Sequence, residues 1–436
     1  MRAESLYQSL DNILPAAITG TVMETTGLTV LAAGFPVPVG AIAEIDCQHG
    51  HHVLAEVVGF HNETAILYPY TTTQGIRRGN RVHLKQTAGT LKIGFGMLGK
   101  ILDARGNLVN PTAGGNLWDA ERVPFTRELP KAHERPRIDT PLSTGIRAID
   151  GLLTMGIGQR MGIFAGSGVG KSVLLGMIAR YTNADVIVIG LIGERGREVN
   201  DFIERDLGPE GLKRSIIVTA TSDESAILRV RAAQTATAVA EYFRDQGKNV
   251  LLLMDSLTRF AMAQREIGLA AGEPATRNGY PPSVLAKLPV LVERSGRTTA
   301  GNITAIYTVL VEGEDKNELI ADTVRGLLDG HIWLSRGLAE QGHYPAIDIP
   351  ASVSRLMPDV CDSEHVQMAL RLKKMIAVWR DHEELVSIGV YKKGAHPELD
   401  EAIEKRERIE HFLCQRVDEA SNIEQSIAAI REILEA

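Results

Sequence analysis

Aromatic residues are scarce in this 436-residue chain: Phe, Trp and Tyr together make up 5%. With so few rings, reading bases by stacking is a poor basis for recognition. A basic excess is missing too. The chain carries 47 Lys and Arg against 54 Asp and Glu, a formal charge of −7. Neutralising nucleic-acid phosphates needs a basic face, so nucleic acid is not the expected partner. Cysteine is nearly absent. Cys47, Cys361 and Cys414 are odd in number and far apart, which argues against a disulfide framework and for a reducing cytoplasm. No long apolar run occurs either. The most apolar stretch, Leu28 to Ala43, is broken by Gly34, Pro36, Pro38 and Gly40, so it cannot form one membrane-spanning helix. The opening Met1-Arg2-Ala3-Glu4-Ser5 lacks the basic-then-apolar plan of a secretory leader. Internal repeats and low-complexity tracts are also missing.

What remains is material for several ordinary cores. Hydrophobic residues make up 44% and charged residues 23%, the proportions of a soluble folded protein rather than a disordered one. At ~150 residues per domain the length suggests about three domains. Four segments differ in pattern: residues 1–17, 18–92, 93–345 and 346–436. In the first, Leu6, Leu10, Ile13 and Leu14 stand at helical spacing before Pro15. A frayed terminus and a partner-binding amphipathic helix fit this equally well. In the second, short runs such as Gly20–Met23, Gly27–Ala33, Val53–Val58, Thr64–Tyr68 and Arg81–Leu84 alternate with turn residues. These read as strands of a small β-barrel or sandwich. The same segment holds Cys47-Gln48-His49-Gly50-His51-His52. One tight cluster without distant ligands rarely supplies tetrahedral geometry, so it reads as a hairpin tip rather than a metal centre.

Pro124, Pro130, Pro136 and Pro141 lie among charges in an extended surface connection. Beyond it, apolar runs alternate with helical patterns: Met161–Ala165, Val186–Leu191, Ile216–Ala220, Val250–Met254, Ile303–Val311 and His331–Leu334. Continuous apolar strands separated by helices predict a parallel sheet covered on both faces. The last eighty or so residues read as helical, with Val417, Ala420, Ile423, Ile427, Ile430 and Leu434 spaced by threes and fours.

The strongest motif is Ala165-Gly166-Ser167-Gly168-Val169-Gly170-Lys171-Ser172, between the strand Met161–Ala165 and a helical pattern from Ser172 through Val173 to Arg180. In this context glycines let backbone N–H groups turn inward to cradle phosphate oxygens, and the helix N-terminus adds positive charge. Lys171 is placed to reach the β- and γ-phosphates, and the Ser172 hydroxyl to ligate Mg²⁺. Ala165 stands where a glycine is usual. The bland alternative is a Gly-rich turn with no ligand. A second motif, Val250-Leu251-Leu252-Leu253-Met254-Asp255, ends a buried strand in a carboxylate at the sheet's carboxyl edge. There Asp255 would hold the Mg²⁺ shell, through water; alone, such an Asp is usually a turn residue. A third, Gly190-Leu191-Ile192-Gly193-Glu194-Arg195-Gly196-Arg197-Glu198, follows another strand. Hydrolysis needs a group that orients the attacking water, and Glu194 is the candidate.

At Gly168-Val169-Gly170-Lys171-Ser172, Gly193-Glu194-Arg195, Asp255-Ser256-Leu257-Thr258-Arg259-Phe260 and Pro345-Ala346-Ile347-Asp348-Ile349-Pro350-Ala351-Ser352-Val353-Ser354-Arg355, the chain resembles the ATP synthase α/β superfamily. Within it, Gly279-Tyr280-Pro281-Pro282-Ser283-Val284, the run from Tyr307 to Asp315, and Leu328-Asp329-Gly330-His331-Ile332 look like the flagellar and type III secretion export ATPases. The resemblance covers nearly the whole chain. It implies an α/β fold: a P-loop NTPase core with a mostly parallel sheet, a small N-terminal β-barrel and a C-terminal α-helical domain. It implies a homohexameric ring that hydrolyses ATP with Mg²⁺ and energises protein unfolding and export. By resemblance Glu194 is the catalytic glutamate, Arg195 its neighbour at the γ-phosphate, and Arg355 an arginine finger reaching an adjacent subunit's site. Tyr344 resembles the residue stacking on adenine, although His343 and Tyr344 could equally be packing, and Arg259 holds a position near the nucleotide. The implied partners are a stator-like regulator at the N-terminal helix, a coiled-coil stalk protein and the membrane export gate at the helical end, and exported proteins with their chaperones. The implied location is the cytoplasm, with peripheral docking at the inner face of the membrane. Leu291-Val292-Glu293-Arg294-Ser295-Gly296-Arg297, Gly389-Val390-Tyr391 and His396-Pro397-Glu398-Leu399-Asp400 look more flagellar than injectisome-like. The competing readings are an injectisome ATPase, a non-catalytic nucleotide-holding ring subunit, which would lack a carboxylate at Glu194, and a hexameric nucleic-acid translocase.

Overall fold

Short strands that turn small and branched apolar side chains inward set the first unit. The computed structural model describes residues 17–109, 120–311 and 318–435. The helix expected at Leu6 to Leu14, and the Glu312-to-Asp315 part of one family segment, lie outside the described residues. Strands Thr19–Thr26, Thr29–Ala33, Ile42–Asp46, His52–His61, Thr64–Pro69 and Arg81–Gln86 close into an antiparallel barrel. Its interior is filled by small and branched side chains such as Val30, Ala32, Ala43, Val57, Leu67 and Val82. The strand Ile42–Asp46, which the sequence reading passed over, alternates inward Ala43 and Ile45 with outward Glu44 and Asp46. Closure leaves no free edge.

A strand pair, Thr90–Ile93 with Glu121–Pro124, leads out of the barrel. The central sheet then runs in the order Ile347–Ser354, Gly330–Leu334, Arg160–Ala165, Asn302–Leu310, Asn249–Asp255, Val186–Glu194, Ser215–Thr221, Lys100–Leu102. All neighbours on this path are parallel except the first pair. Both faces are covered, as the uninterrupted apolar runs require. Val186 and Val188 face a core with helices Ala226–Asp245, Leu257–Ala270 and Pro282–Glu293, while Ile187 and Ile189 face a core with helix Lys171–Tyr181. The parallel strands therefore deliver the ends of three motifs, Ala165, Glu194 and Asp255, to one edge of the sheet.

Two expectations about the C-terminal part change. The helical region does not begin at residue 346, because Ile347–Ser354 is an antiparallel strand at the edge of the central sheet. An edge position tolerates Pro350, which hides the strand from sequence reading. Nor does one helical run extend from Val417. Helices Ser363–Ser387 and Pro397–Leu413 are followed by a loop, and the last helix spans Ile423–Glu435. Asn422 fixes its start: Asn422 Oδ1 accepts from Gln425 N at 2.8 Å, and Gln425 Oε1 accepts from Asn422 N at 3.1 Å. This reciprocal cap commits the chain to leave the helix before residue 422. Among the described residues no helix is long and apolar enough to cross a membrane.

Candidate nucleotide-binding and hydrolysis site

The glycine-rich turn follows a strand whose last five residues are buried. Ala165 accommodates the place of a glycine because its methyl joins the apolar core beside helix Lys171–Tyr181. Gly168 (φ +79°) and Gly170 (φ +85°) sit in the left-handed region, which side chains rarely adopt. Gly170 caps helix Lys171–Tyr181, and no side chain occupies the cap. The first N–H groups of that helix are thus left for an anion. Ser172 and Val173 follow in the first turn, both half-buried.

Lys171, Glu194 and Asp255 meet at this edge. The Lys171 ammonium bonds both carboxylate oxygens of Asp255 and lies 3.9 Å from Glu194 Oε1. All three side chains are largely buried, with Glu194 14% exposed. Thr308 Oγ1 donates to Asp255 Oδ1 at 2.7 Å, and Thr258 Oγ1 accepts from Leu310 N at 2.9 Å, tying the neighbouring strand to the aspartate turn. Burial, and then the negative charge of Asp255, push the Glu194 carboxyl up to about 7, against the pull of Lys171. A carboxylate poised there suits general-base work near neutral pH. A bulge between Ile192 and Glu194 interrupts pairing with the next strand and turns the glutamate toward Lys171. Arg259 packs against Gly193, where an added Cβ would stand 3.1 Å from its own, and its buried Nε has no partner.

Two predicted residues lie apart from this cluster. Arg195 points outward, 77% exposed, and pairs with Glu198 at 2.8 Å. Arg355 is exposed and follows the antiparallel edge strand. Ser354 pairs with Gly330, and His331 with Gly162, so Arg355 stands level with the start of the phosphate strand. At ~3.3 Å per residue, the six steps from Arg160, which is level with Arg355 through Asp329, to Gly166 put the chain's own phosphate turn about 20 Å further along the sheet. Tyr344 is brought in: its ring carbons lie 3.3 Å from where a Cβ on Gly170 would project. With Gly168, Val173, Met177 and Gln415 it lines a cavity of about 1160 Å³. His343 does not line this cavity, and burial lowers its pKa.

Sequence reading missed Thr308, Thr258 and Gln415. A hydroxyl inside the apolar run Ile303–Val311 was the one signal for Thr308; Gln415 gave none. It also missed the companions of the histidine-rich segment. The turn Gln48–Gly50 is indeed a hairpin tip, but barrel pairing places Asp46 between His52 Nδ1 (3.1 Å) and His83 Nε2 (2.8 Å). Donor atoms of Glu44, Asp46 and His52 lie within 4.8 Å of one another. Glu44 is also paired with Lys85 at 3.0 Å.

A strand, a glycine-rich turn, a helix and facing carboxylates at one sheet edge define a P-loop nucleotide-binding protein. Family models agree along the chain. The ATP synthase alpha/beta family nucleotide-binding domain matches residues 145–354, and its beta-barrel domain residues 22–84. The T3SS EscN ATPase C-terminal domain matches residues 361–432. The flagellum-specific ATP synthase of Pseudomonas aeruginosa is 50% identical over 97% of this chain and 94% of its own length. The type 3 secretion system ATPase of Xanthomonas euvesicatoria is 48% identical over 95% and 93%. The assembled ATPase EscN of the enteropathogenic E. coli type III secretion system, solved with its central stalk EscO, superposes with a TM-score of 0.88 at 44% identity, covering 95% of this chain and 100% of EscN. The chain belongs to the flagellar and type III secretion ATPase branch of the ATP synthase alpha/beta family.

Proposed function

We propose that this protein hydrolyses ATP as a homohexameric ring and that hydrolysis energises the unfolding and export of flagellar proteins through a type III secretion apparatus. The buried Glu194 carboxylate, 3.9 Å from the Lys171 ammonium, carries the catalytic part. A ring subunit that only holds nucleotide has no use for a costly buried carboxylate at that place. Backbone N–H groups from Gly166 to Ser172, and Lys171, bind the phosphates. Ser172 Oγ and, through water, the Asp255 carboxylate would hold Mg²⁺, which would supply charge that neutralises the phosphates. Lys171 then exchanges Asp255 for phosphate. Glu194 orients water and takes its proton, Arg259 supports the charge beside it, and Tyr344 stacks on the base. Arg355, about 20 Å along the sheet from its own phosphate turn, serves the neighbouring subunit. Arg195, tied to Glu198, stays at the rim of the site.

EscN is solved in complex with its central stalk EscO; in this chain the helical end receives a coiled-coil stalk and faces the export gate, and the N-terminal segment takes a stator-like regulator. The flagellar branch rests on the segments Leu291–Arg297 and Gly389–Asp400, since overall identity to flagellar and injectisome relatives is alike, 50% and 48%. Steady phosphate release by the purified chain tests the enzyme, and restored motility in a strain lacking its flagellar ATPase tests the branch. A chain that binds ATP without turnover would leave the non-catalytic subunit standing.

A further inference from the structure

The segment Cys414 to Glu419, between the last two helices, forms one wall of the cavity at Tyr344. It is pinned at three points by residues far away in sequence. Gln415, 5% exposed, uses its whole side-chain amide: Oε1 accepts from Arg147 N at 2.8 Å, and Nε2 donates to Gly145 O at 2.8 Å and to Glu419 O at 2.7 Å. Its backbone N–H donates to the Tyr344 carbonyl at 2.9 Å. Arg147 donates to the carbonyls of Phe412 (3.0 Å), His411 (3.2 Å) and Cys414, and to the Glu419 carboxylate. It thereby closes off the carbonyl end of helix Pro397–Leu413. Arg180 and Tyr181, at the far end of the phosphate helix, each donate to Val417 O at 2.8 Å.

A buried amide with both donors engaged and its oxygen occupied is an expensive way to make a loop unless the loop's position matters. Here that position sets two things at once: the wall of the cavity, and the carbonyl of the residue whose ring overhangs Gly170. We infer that Gln415 is a positioning residue for the nucleotide base, holding the 414–419 segment and Tyr344 so that the base enters a slot already formed. The inference rests on the reading of the Gly166–Ser172 turn as the phosphate site. Gln415 touches no reacting atom. Lys171 and the carboxylates lie at the other end of an eleven-residue helix, a length of ~16 Å.

A ligand with the phosphates but no base separates this role from a general structural one. In wild-type protein, magnesium tripolyphosphate should compete with ATP. Gln415→Leu should raise KM for ATP ~10-fold or more, the cost of leaving buried partners unpaired. Its kcat and the tripolyphosphate inhibition constant should stay within ~2-fold. In a Tyr344→Ala background the same substitution should add less than ~2-fold, because the two act on one slot. Gln415→Glu keeps the volume and the acceptor for Arg147 N–H but loses both donors. It should shift KM in the same direction, and it carries the test alone if the leucine variant does not fold. Equal weakening of ATP and tripolyphosphate, an unchanged KM, or full additivity with Tyr344→Ala would overturn the positioning role. Absence of competition by tripolyphosphate in the wild type would instead overturn the phosphate-site reading beneath it.

Discussion

If Glu194 is the base for the attacking water, its protonation state must govern capture of ATP by the free enzyme. Burial and the neighbouring Asp255 hold its carboxyl at about 7 rather than the ordinary 4.5. The sign follows directly: only the ionised form accepts a proton, so kcat/KM rises with pH through about 7 and falls below it. A single group there is about one-tenth ionised at pH 6 and nine-tenths at pH 8, a ratio of roughly 10 in rate. The assay is phosphate release at ATP well below KM, with Mg²⁺ in excess and ionic strength fixed from pH 6 to 8. The free enzyme's groups appear in kcat/KM rather than kcat, which keeps charges brought by the nucleotide out of the comparison. Glu194→Gln keeps the shape and removes the proton acceptor. It should bind ATP and turn over ~10²-fold more slowly or worse, with the rise through pH 7 abolished. A wild-type profile flat across pH 6 to 8, or the same slope in the glutamine variant, would refute the assignment.

Other consequences follow from charge, packing and the chain's start. Lys171→Ala removes the point charge facing the phosphates and should abolish hydrolysis and weaken ATP binding, with the circular-dichroism spectrum unchanged; near-parental turnover would place the site elsewhere. Arg294 bonds Glu241 through two contacts of 2.9 and 2.7 Å, both side chains 3% exposed. Arg294→Leu strands a buried carboxylate and should cost ~3–5 kcal/mol in denaturant titration, while adding Glu241→Leu should recover much of that; a harmless single substitution would show that water reaches the glutamate. Deleting residues 1–14 should spare hydrolysis by the isolated protein and impair capture of the stator-like regulator, measured by co-purification; a large loss of thermal stability would show instead that this segment packs on the rest of the chain.

The parts of the molecule that were legible in the sequence are those set by local pattern. Val186–Leu191 and Val250–Met254 are apolar throughout because both faces of a parallel sheet are buried. The phosphate turn is legible because its glycines, lysine and flanking elements are contiguous. Lys100–Leu102 was not legible, since three residues carry no periodicity. The loop before Ile423 was masked because Val417 and Ala420 happen to fit the helical spacing of the residues after them. Side-chain partners across long separations were out of reach altogether. Thr308 meets Asp255 across 53 positions, and Gln415 meets Gly145 across 270. Arg195 and Glu198 stand three apart, a spacing at which opposite charges pair along a helix, and that local signal for an outward Arg195 was passed over.

On the proposed function a complete hydrolytic site needs Glu194 from one subunit and Arg355 from the next. Arg355→Ala should bind ATP nearly normally yet lose ~10³-fold or more in turnover, because its guanidinium stabilises charge that develops only in the transition state. Glu194→Gln should turn over ~10²-fold more slowly or worse for the complementary reason. Rings assembled from both variants contain some interfaces where an intact Glu194 faces an intact Arg355, a pairing neither variant offers alone. Mixing the two purified proteins under assembly conditions and measuring phosphate release should therefore give activity well above the sum of the separate variants. No gain, in rings shown to contain both subunits, would contradict the shared site.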